Sequence, residues 1–178
     1  EFEWTYTYTV EVEDFTMPAN QGSTIECASA ATEPTPPDVY DNCGELITPT
    51  GPEEGGTYVD CEGTITYTWT YADCEGNAHD WVYTYTVTRT TSPDEVGGPV
   101  STSSTVACAA SAVAPTTLPV VEDVCGNPLS APTPVKDTSG FDGCEGTITY
   151  TYTYVDCALL EFEWTYTYTV EVEDFTMP

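Results

Sequence analysis

Alternation of ring-bearing and threonine side chains is the strongest pattern along the chain. Between Cys61 and Cys74, residues Ile65, Tyr67, Trp69 and Tyr71 alternate with Thr64, Thr66, Thr68 and Thr70. A period of two puts the rings on one face of a β-strand and the threonines on the other. Trp81, Tyr83, Tyr85 and Val87 repeat the pattern, and Gly76-Asn77 between the runs supplies the positive-φ residues of a tight turn, so the two runs predict a hairpin. The hairpin recurs between Cys144 and Val170, with Tyr150, Tyr152 and Tyr154 in its front run and Trp164, Tyr166 and Tyr168 in its back run.

The chain is therefore a tandem array. Cys27, Cys43, Cys61 and Cys74 match Cys108, Cys125, Cys144 and Cys157 at a period of about 80 residues, too long for a solenoid repeat and suited to a bead-like β-sandwich. Residues Glu1–Pro18 and Glu161–Pro178 are the same eighteen residues. Since the second copy is the back half of a hairpin, the first reads as the last strand of a preceding, truncated repeat. The expected division is 1–18 for that strand, 19–97 for a first complete repeat and 98–178 for a second.

Each repeat opens with a short strand, Ser23–Cys27 or Ser104–Cys108, followed by a proline-rich stretch, Thr32–Pro37 or Ala114–Pro119, where missing ladder donors force an edge or irregular path. Then come Asp38–Asp41 or Val120–Asp123, a turn at Cys43-Gly44 or Cys125-Gly126, and a middle strand near Glu45–Thr50. Gly51–Gly56 reads as a glycine-rich loop returning to the long hairpin. No stretch has the period of an amphipathic helix. The expected fold is all-β, a disulfide-stapled immunoglobulin-like sandwich of six or seven strands per repeat, with the rings inside. At Ala158-Leu159-Leu160 the second repeat lacks the Gly-Asn of the first, and leucine is a poor residue for positive φ, which predicts a loop of different shape.

Charge narrows the partners. The 178 residues carry a formal charge of −28, with 2 basic residues, Arg89 and Lys136, and a single histidine, His79. Such a surface repels nucleic acid and anionic lipid head groups. It keeps an extended β-protein soluble and discourages edge-to-edge pairing. Weak Ca²⁺ binding by clustered carboxylates is the sharper reading, but no Asp-x-Asp-x-Asp-Gly loop is present, so no cofactor or metal is expected. One histidine could serve a Ser-His-Asp arrangement in only one repeat, so catalysis is not expected. Paired carboxylates such as Glu53-Glu54 and Asp94-Glu95 sit in Gly/Pro-rich stretches as solvated charges. Neither a membrane span nor a signal sequence is expected from the apolar pattern.

The 8 cysteines lack Cys-x-x-Cys spacing, which favours disulfides and an oxidising compartment over zinc. Cys61 and Cys74 bracket a continuous strand of about 43 Å when extended and cannot bond to each other. Two pairings remain for the first repeat, Cys27–Cys61 with Cys43–Cys74, or Cys27–Cys74 with Cys43–Cys61. The up-and-down path of the short strands favours the former, and with it Cys108–Cys144 and Cys125–Cys157. The hairpin rings Tyr67, Trp69, Tyr71, Trp81, Tyr83 and Tyr85 are read as core, since displaying them would leave a unit this small without one. Displayed, they would make a carbohydrate-binding module.

At Asp41-Asn-Cys-Gly44, Gly63-Thr-Ile-Thr-Tyr-Thr68, Ala72-Asp-Cys-Glu-Gly-Asn77 and the closing Tyr-Thr-Val-Thr run, the repeat resembles a hyalin-repeat (HYR-like) domain. The added cysteines and the recurring Cys-Glu-Gly-Thr-Ile-Thr-Tyr-Thr block resemble tandem repeats of bacterial gliding-motility adhesins of the SprB type, secreted by a type IX system. The resemblance implies an immunoglobulin-like fold and an extracellular adhesive or filamentous role at the bacterial cell surface. The expected function is a stiff spacer whose partners are neighbouring repeats, with surface polysaccharide or other filament chains beyond them. A pilus-like subunit assembling by strand donation is the other alternative.

Overall fold

The protein is described from a computed structural model in which residues 1–172 are described. It forms two compact units, the first comprising Glu1–Thr88 and the second beginning at Arg89. Both are all-β, with no α-helix among the described residues. In the first unit the strands are β1 (Gln21–Ile25), β2 (Val39–Tyr40), β3 (Leu46–Ile47), β4 (Thr50–Gly56), β5 (Gly63–Ala72) and β6 (Ala78–Val87). The second has β7 (Asp94–Val96), β8 (Ser103–Val106), β9 (Val120–Glu122), β10 (Val135–Asp137), β11 (Gly146–Val155) and β12 (Glu161–Val170). The main sheets run β1-β6-β5-β4 and β8-β12-β11-β10, the same arrangement twice.

The long hairpins form as their alternation predicts. β5 and β6 pair antiparallel over ten positions, with Trp69 opposite Trp81 and Tyr67 opposite Tyr83. β11 and β12 do the same, with Tyr152 opposite Trp164 and Tyr150 opposite Tyr166. Tyr67, Trp69, Tyr71, Trp81, Tyr85 and Val87 are buried, as are Tyr150, Tyr152, Tyr154, Trp164 and Val170. Tyr83, Tyr166 and Tyr168 are half-buried.

The first strand of each unit, β1 or β8, runs parallel to the last. Gln21–Ile25 lie beside Tyr83–Val87 in register, and Ser103–Val106 beside Thr167–Val170. After it the chain takes a single 3-10 turn, Ala28–Ala30 or Ala109–Ser111, and crosses the ring-bearing face as a proline-rich strap. Strap carbonyls have no ladder partners, and tyrosine hydroxyls supply them. Tyr67 donates to Ala31 O (3.2 Å), Tyr85 to Thr32 O (2.8 Å) and Tyr71 to Pro37 O (2.6 Å). In the second unit Tyr150, Tyr152 and Tyr154 donate to Ala112 O, Pro115 O and Pro119 O. Each ring thus buries much of its apolar body and gives its one hydroxyl to a strap carbonyl that has no ladder partner, at buried positions in Ala112 and Pro119 and part-buried ones elsewhere. Burial pushes the Tyr71 and Tyr154 phenols above their ordinary range, reinforced by nearby acidic groups, so both remain protonated donors at any physiological pH.

Two expectations are corrected. Gly51–Gly56 is not a loop but most of β4, which pairs with β5 through a bulge between Thr50 and Glu53. The bulge accommodates Pro52, which has no donor to give, and a Cβ at Gly56 would collide with the Thr64 carbonyl. Asp94–Val96, read as solvated loop, pairs with Val120–Glu122. Glu1–Val10, expected as the closing strand of a preceding repeat, are exposed, with Trp4 at 75% and Tyr8 at 81%, and pair with no described strand. Beyond them, Phe15 and Met17 join the first core. Residues 173–178, the end of the second expected repeat, lie outside the described residues.

The two tryptophans at equivalent places differ in one bond. Trp81 Nε1 donates to Ala19 O at 3.0 Å, whereas Trp164 Nε1 is buried without a partner. Trp81→Phe is expected to cost about 1 kcal/mol more than Trp164→Phe, since only the former breaks a formed hydrogen bond. Chemical denaturation of the two variants, each read against the parent, checks this.

Candidate functional site

The chemistry-bearing side chains gather at the two poles of each unit. One pole holds the β5–β6 turn, the β2–β3 turn and the lead-in segment. The other holds Cys27, Cys61 and the end of β6, where Val87 pairs with Gly63 and Ile25.

At the first pole, four aspartates shape four loops by one device. Asp41 Oδ1 accepts from the backbone N–H of Cys43 (2.9 Å) and Glu45 (2.8 Å). Asp73 Oδ1 accepts from Glu75, Gly76 and Asn77 at 2.9 to 3.0 Å. Their counterparts repeat this: Asp123 Oδ1 holds Cys125 and Asn127, and Asp156 Oδ1 holds Ala158 and Leu160, all at 2.9 Å. An aspartate that accepts several amides replaces the ladder bonds a turn lacks. The Asn77 amide and the backbone N–H groups hold the Asp73 carboxyl below the usual carboxylate range. Burial alone would raise Asp123, but Asn127, the loop amides and the Arg89 charge outweigh it and hold it low.

These loops correct two sequence expectations. The Asp156 loop has the same closing bonds as the Asp73 loop, Asp156 N to Leu160 O and Asp73 N to Asn77 O, both 3.0 Å. Leu159 takes the left-handed conformation (φ 63°) that Gly76 supplies in the first unit (φ 93°), so the loop shape is kept despite leucine. In the first turn only Gly76 has positive φ, while Asn77 serves as a donor to Asp73 Oδ2 at 2.8 Å.

The lead-in is fastened to this pole differently in the two units. In the first, Asn42 Nδ2 donates to Glu13 O (2.8 Å) and Asp14 O (3.0 Å), and Asp14 pairs with His79 Nε2 at 2.8 Å. Both ionic partners are partly exposed, so that pair adds little stability. The second unit has Val124 in place of Asn42 and uses Arg89. Its Nη1 lies 2.6 Å from Asp123 Oδ2 and 2.8 Å from Cys157 Sγ, with both charged side chains buried. Nothing in the local sequence marks the one arginine as interior, because an isolated cation in a −28 chain reads as surface.

Cys27 and Cys61 in the first unit, and Cys125 and Cys157 in the second, are disulfide-bonded. Cys43, Cys74, Cys108 and Cys144 are exposed thiols, so the expected Cys43–Cys74 and Cys108–Cys144 bridges are not formed. Cys43 and Cys74 lie on the tips of separate loops, where neither strand pairing nor packing dictates whether the pair closes, so this pole is open here and bonded at the equivalent Cys125 and Cys157. The open pole of one unit corresponds to the closed pole of the other: Cys43 and Cys74 match Cys125 and Cys157, and Cys108 and Cys144 match Cys27 and Cys61. The candidate core rings lie in the two cores rather than on an open platform, and among the described residues no three His, Cys, Asp or Glu side chains gather as metal ligands.

Two outcomes are expected. Because equivalent cysteines are bonded in the sister unit, air-oxidised protein should close Cys43–Cys74 and Cys108–Cys144, each contributing about 3 to 4 kcal/mol. Non-reducing peptide mapping would show these pairs and no alkylated thiol. Asp123→Ala should destabilise the second unit by about 3–5 kcal/mol, since it strands a buried guanidinium, whereas Arg89→Met should cost less because Asn127 and the loop amides still satisfy Asp123. With a depressed folded pKa, the Asp123 contribution is present above about pH 4 and lost as pH falls; thermal melts across pH 2 to 7 (a range of about five units) should therefore flatten in Asp123→Ala.

A family model described as an HYR-like domain with 4 cysteines matches residues 15–87 and again 97–170. Each match starts at the fastened lead-in and ends with the last strand of its unit. No curated protein sequence matches the chain. With most of its length covered by two successive matches to this model, its strands folded into stapled sandwiches and four cysteines at the poles of each, the chain belongs to the HYR-like family of four-cysteine repeat domains.

Proposed function

We propose that the chain is a load-bearing spacer in a long, secreted cell-surface adhesin filament. HYR-like repeats are of the extracellular structural and adhesive type, which supports the coarser part of this reading. The likeness of the Cys61–Thr68 and Cys144–Thr151 blocks to SprB-type repeats supports a gliding-motility or attachment adhesin at the bacterial surface.

The parallel pairing of first and last strands carries the mechanical part. In the first unit the chain enters at the pole of Asp14 and His79 and leaves at the pole of Val87, Gly63 and Ile25. Ten-residue strands separate those poles by about 30 Å. Tension on the two ends therefore draws β1 toward the entry pole and β6 toward the exit pole. As parallel neighbours in register they must slide, so their hydrogen bonds bear load together instead of opening one after another. β8 and β12 repeat the geometry. Loops add nothing to this path except at the poles, where the cysteines sit.

With Cys27 joined to Cys61, the intervening segment cannot be drawn out after β1 slips. Single-molecule stretching of the oxidised protein should show one resisting event per unit. Reduction should lengthen the first unit's event by about 120 Å, since the bridge withholds 61 − 27 = 34 residues at roughly 3.5 Å each. A chain that yields without a force peak, or whose extension ignores reductant, would count against the spacer.

A further inference from the structure

The strap is held differently over the two cores. In the first unit both long strands supply its donors, Tyr67 and Tyr71 from β5 and Tyr85 from β6. Tyr83, next on that face of β6, donates to Ser23 Oγ at 3.2 Å. The second unit has Tyr152 where the first has Trp69, and Tyr152 donates to Pro115 O at 2.9 Å. All three strap bonds then come from β11. Tyr166 and Tyr168, the counterparts of Tyr83 and Tyr85, keep hydroxyls with no hydrogen-bond partner among the described residues. Tyr85 is buried, whereas Tyr168 is half-buried. The two tyrosines line a cavity of about 390 Å³ with Pro115, Thr116 and Thr117 of the strap and Ser101 of the lead-in.

We propose that this cavity binds an uncharged sugar residue of a glycan chain. Its volume lies within the range of about 300 to 1,000 Å³ usual for small-ligand sites. Tyr166 and Tyr168 stand side by side with ring centroids 4.9 Å apart, and their faces and edges suit the C–H face of a pyranose ring. Their two unpartnered hydroxyls, with those of the exposed Thr116 and Thr117, suit the hydroxyls of the same ring. Ser101 Oγ donates to Ser103 O at 3.3 Å, so it meets a ligand as an acceptor. Burial lifts the Tyr168 phenol above its ordinary range, aided by Tyr166 and Tyr150, which keeps it a donor. Charge selects the sugar. In a chain of formal charge −28 no charged side chain lines this cavity, so an anionic sugar finds no counter-charge and is repelled by the surface. A purely apolar ligand would bury the hydroxyls unpaired, at a cost that a polyhydroxylated ring avoids.

Saturation-transfer NMR of the intact 178-residue chain with cellohexaose, maltohexaose and mannohexaose tests this. At least one should bind with a Kd of about 1 mM or tighter, and titration should shift the Thr116 and Thr117 amides. Trigalacturonate, built from similar rings but anionic, should not bind. Tyr168→Ala should weaken the neutral glycan at least about tenfold. Thr116→Glu, at an exposed position outside the core, should do the same with the thermal midpoint unchanged, which separates loss of the site from loss of the fold. Trp4→Ala, in the separate exposed row of Trp4, Tyr6 and Tyr8, should leave binding as it is. The proposal falls if no neutral hexaose binds, if trigalacturonate binds as well as they do, or if affinity follows Trp4 and not Tyr168 and Thr116.

Discussion

The hydrogen bond from a buried tyrosine hydroxyl to a strap carbonyl is the interaction on which each unit depends. A proline-rich segment crossing the core has few donors to pair and many carbonyls that must be paired, and no second broad sheet is available to do it. The alternating strands meet that need with rings long enough to reach across the core and end in a donor. Phenylalanine would fill the same volume and leave Pro37 O or Pro119 O without the tyrosine donor. The Tyr-Thr alternation is therefore a packing code and a polar-satisfaction code at once, with threonine keeping the opposite face β-branched and free of apolar surface.

The poles solve a different problem. Turns at the ends of long strands cannot draw on the core, and here each is closed on an aspartate that takes up two or three amides. Two of these aspartates, Asp41 and Asp123, also hold the backbone N–H of the cysteine two residues on. Acid enrichment thus has an internal share as well as a surface one: Asp123 and Asp156 are buried and belong to the architecture, while most other carboxylates serve solvation. The fastening of the lead-in shows how loosely sequence constrains a task. Asn42 with His79 does it in one unit; Arg89 with Asp123 and a short β-ribbon does it in the other.

Much of the fold was legible because its dominant signal is local and periodic. Strand pattern and hairpin register follow from alternation at Ile65–Tyr71 and Trp81–Val87, and the unit size follows from the cysteine period. Less legible was whatever depends on partners distant in sequence. Gly51–Gly56 looks like a loop by composition, and only the neighbouring β5 makes it a strand. Arg89 looks like surface, and only Asp123 makes it interior. Leu159 looks wrong for its turn, and the amides gathered by Asp156 override its preference. Residues 1–10 make the point in reverse, since an ideal strand sequence remains unpaired where no partner lies beside it.

The parallel seating of β1 on β6, and of β8 on β12, has a consequence for biogenesis. The opening strand of a unit finds its neighbour only in the final ten residues of that unit, so nearly the whole repeat must emerge before its sheet can be finished. Long-range pairing of this kind is slow to nucleate. A chain threaded outward through a membrane from its N-terminus would therefore stay extended within each repeat during passage, then consolidate outside in steps of one bead.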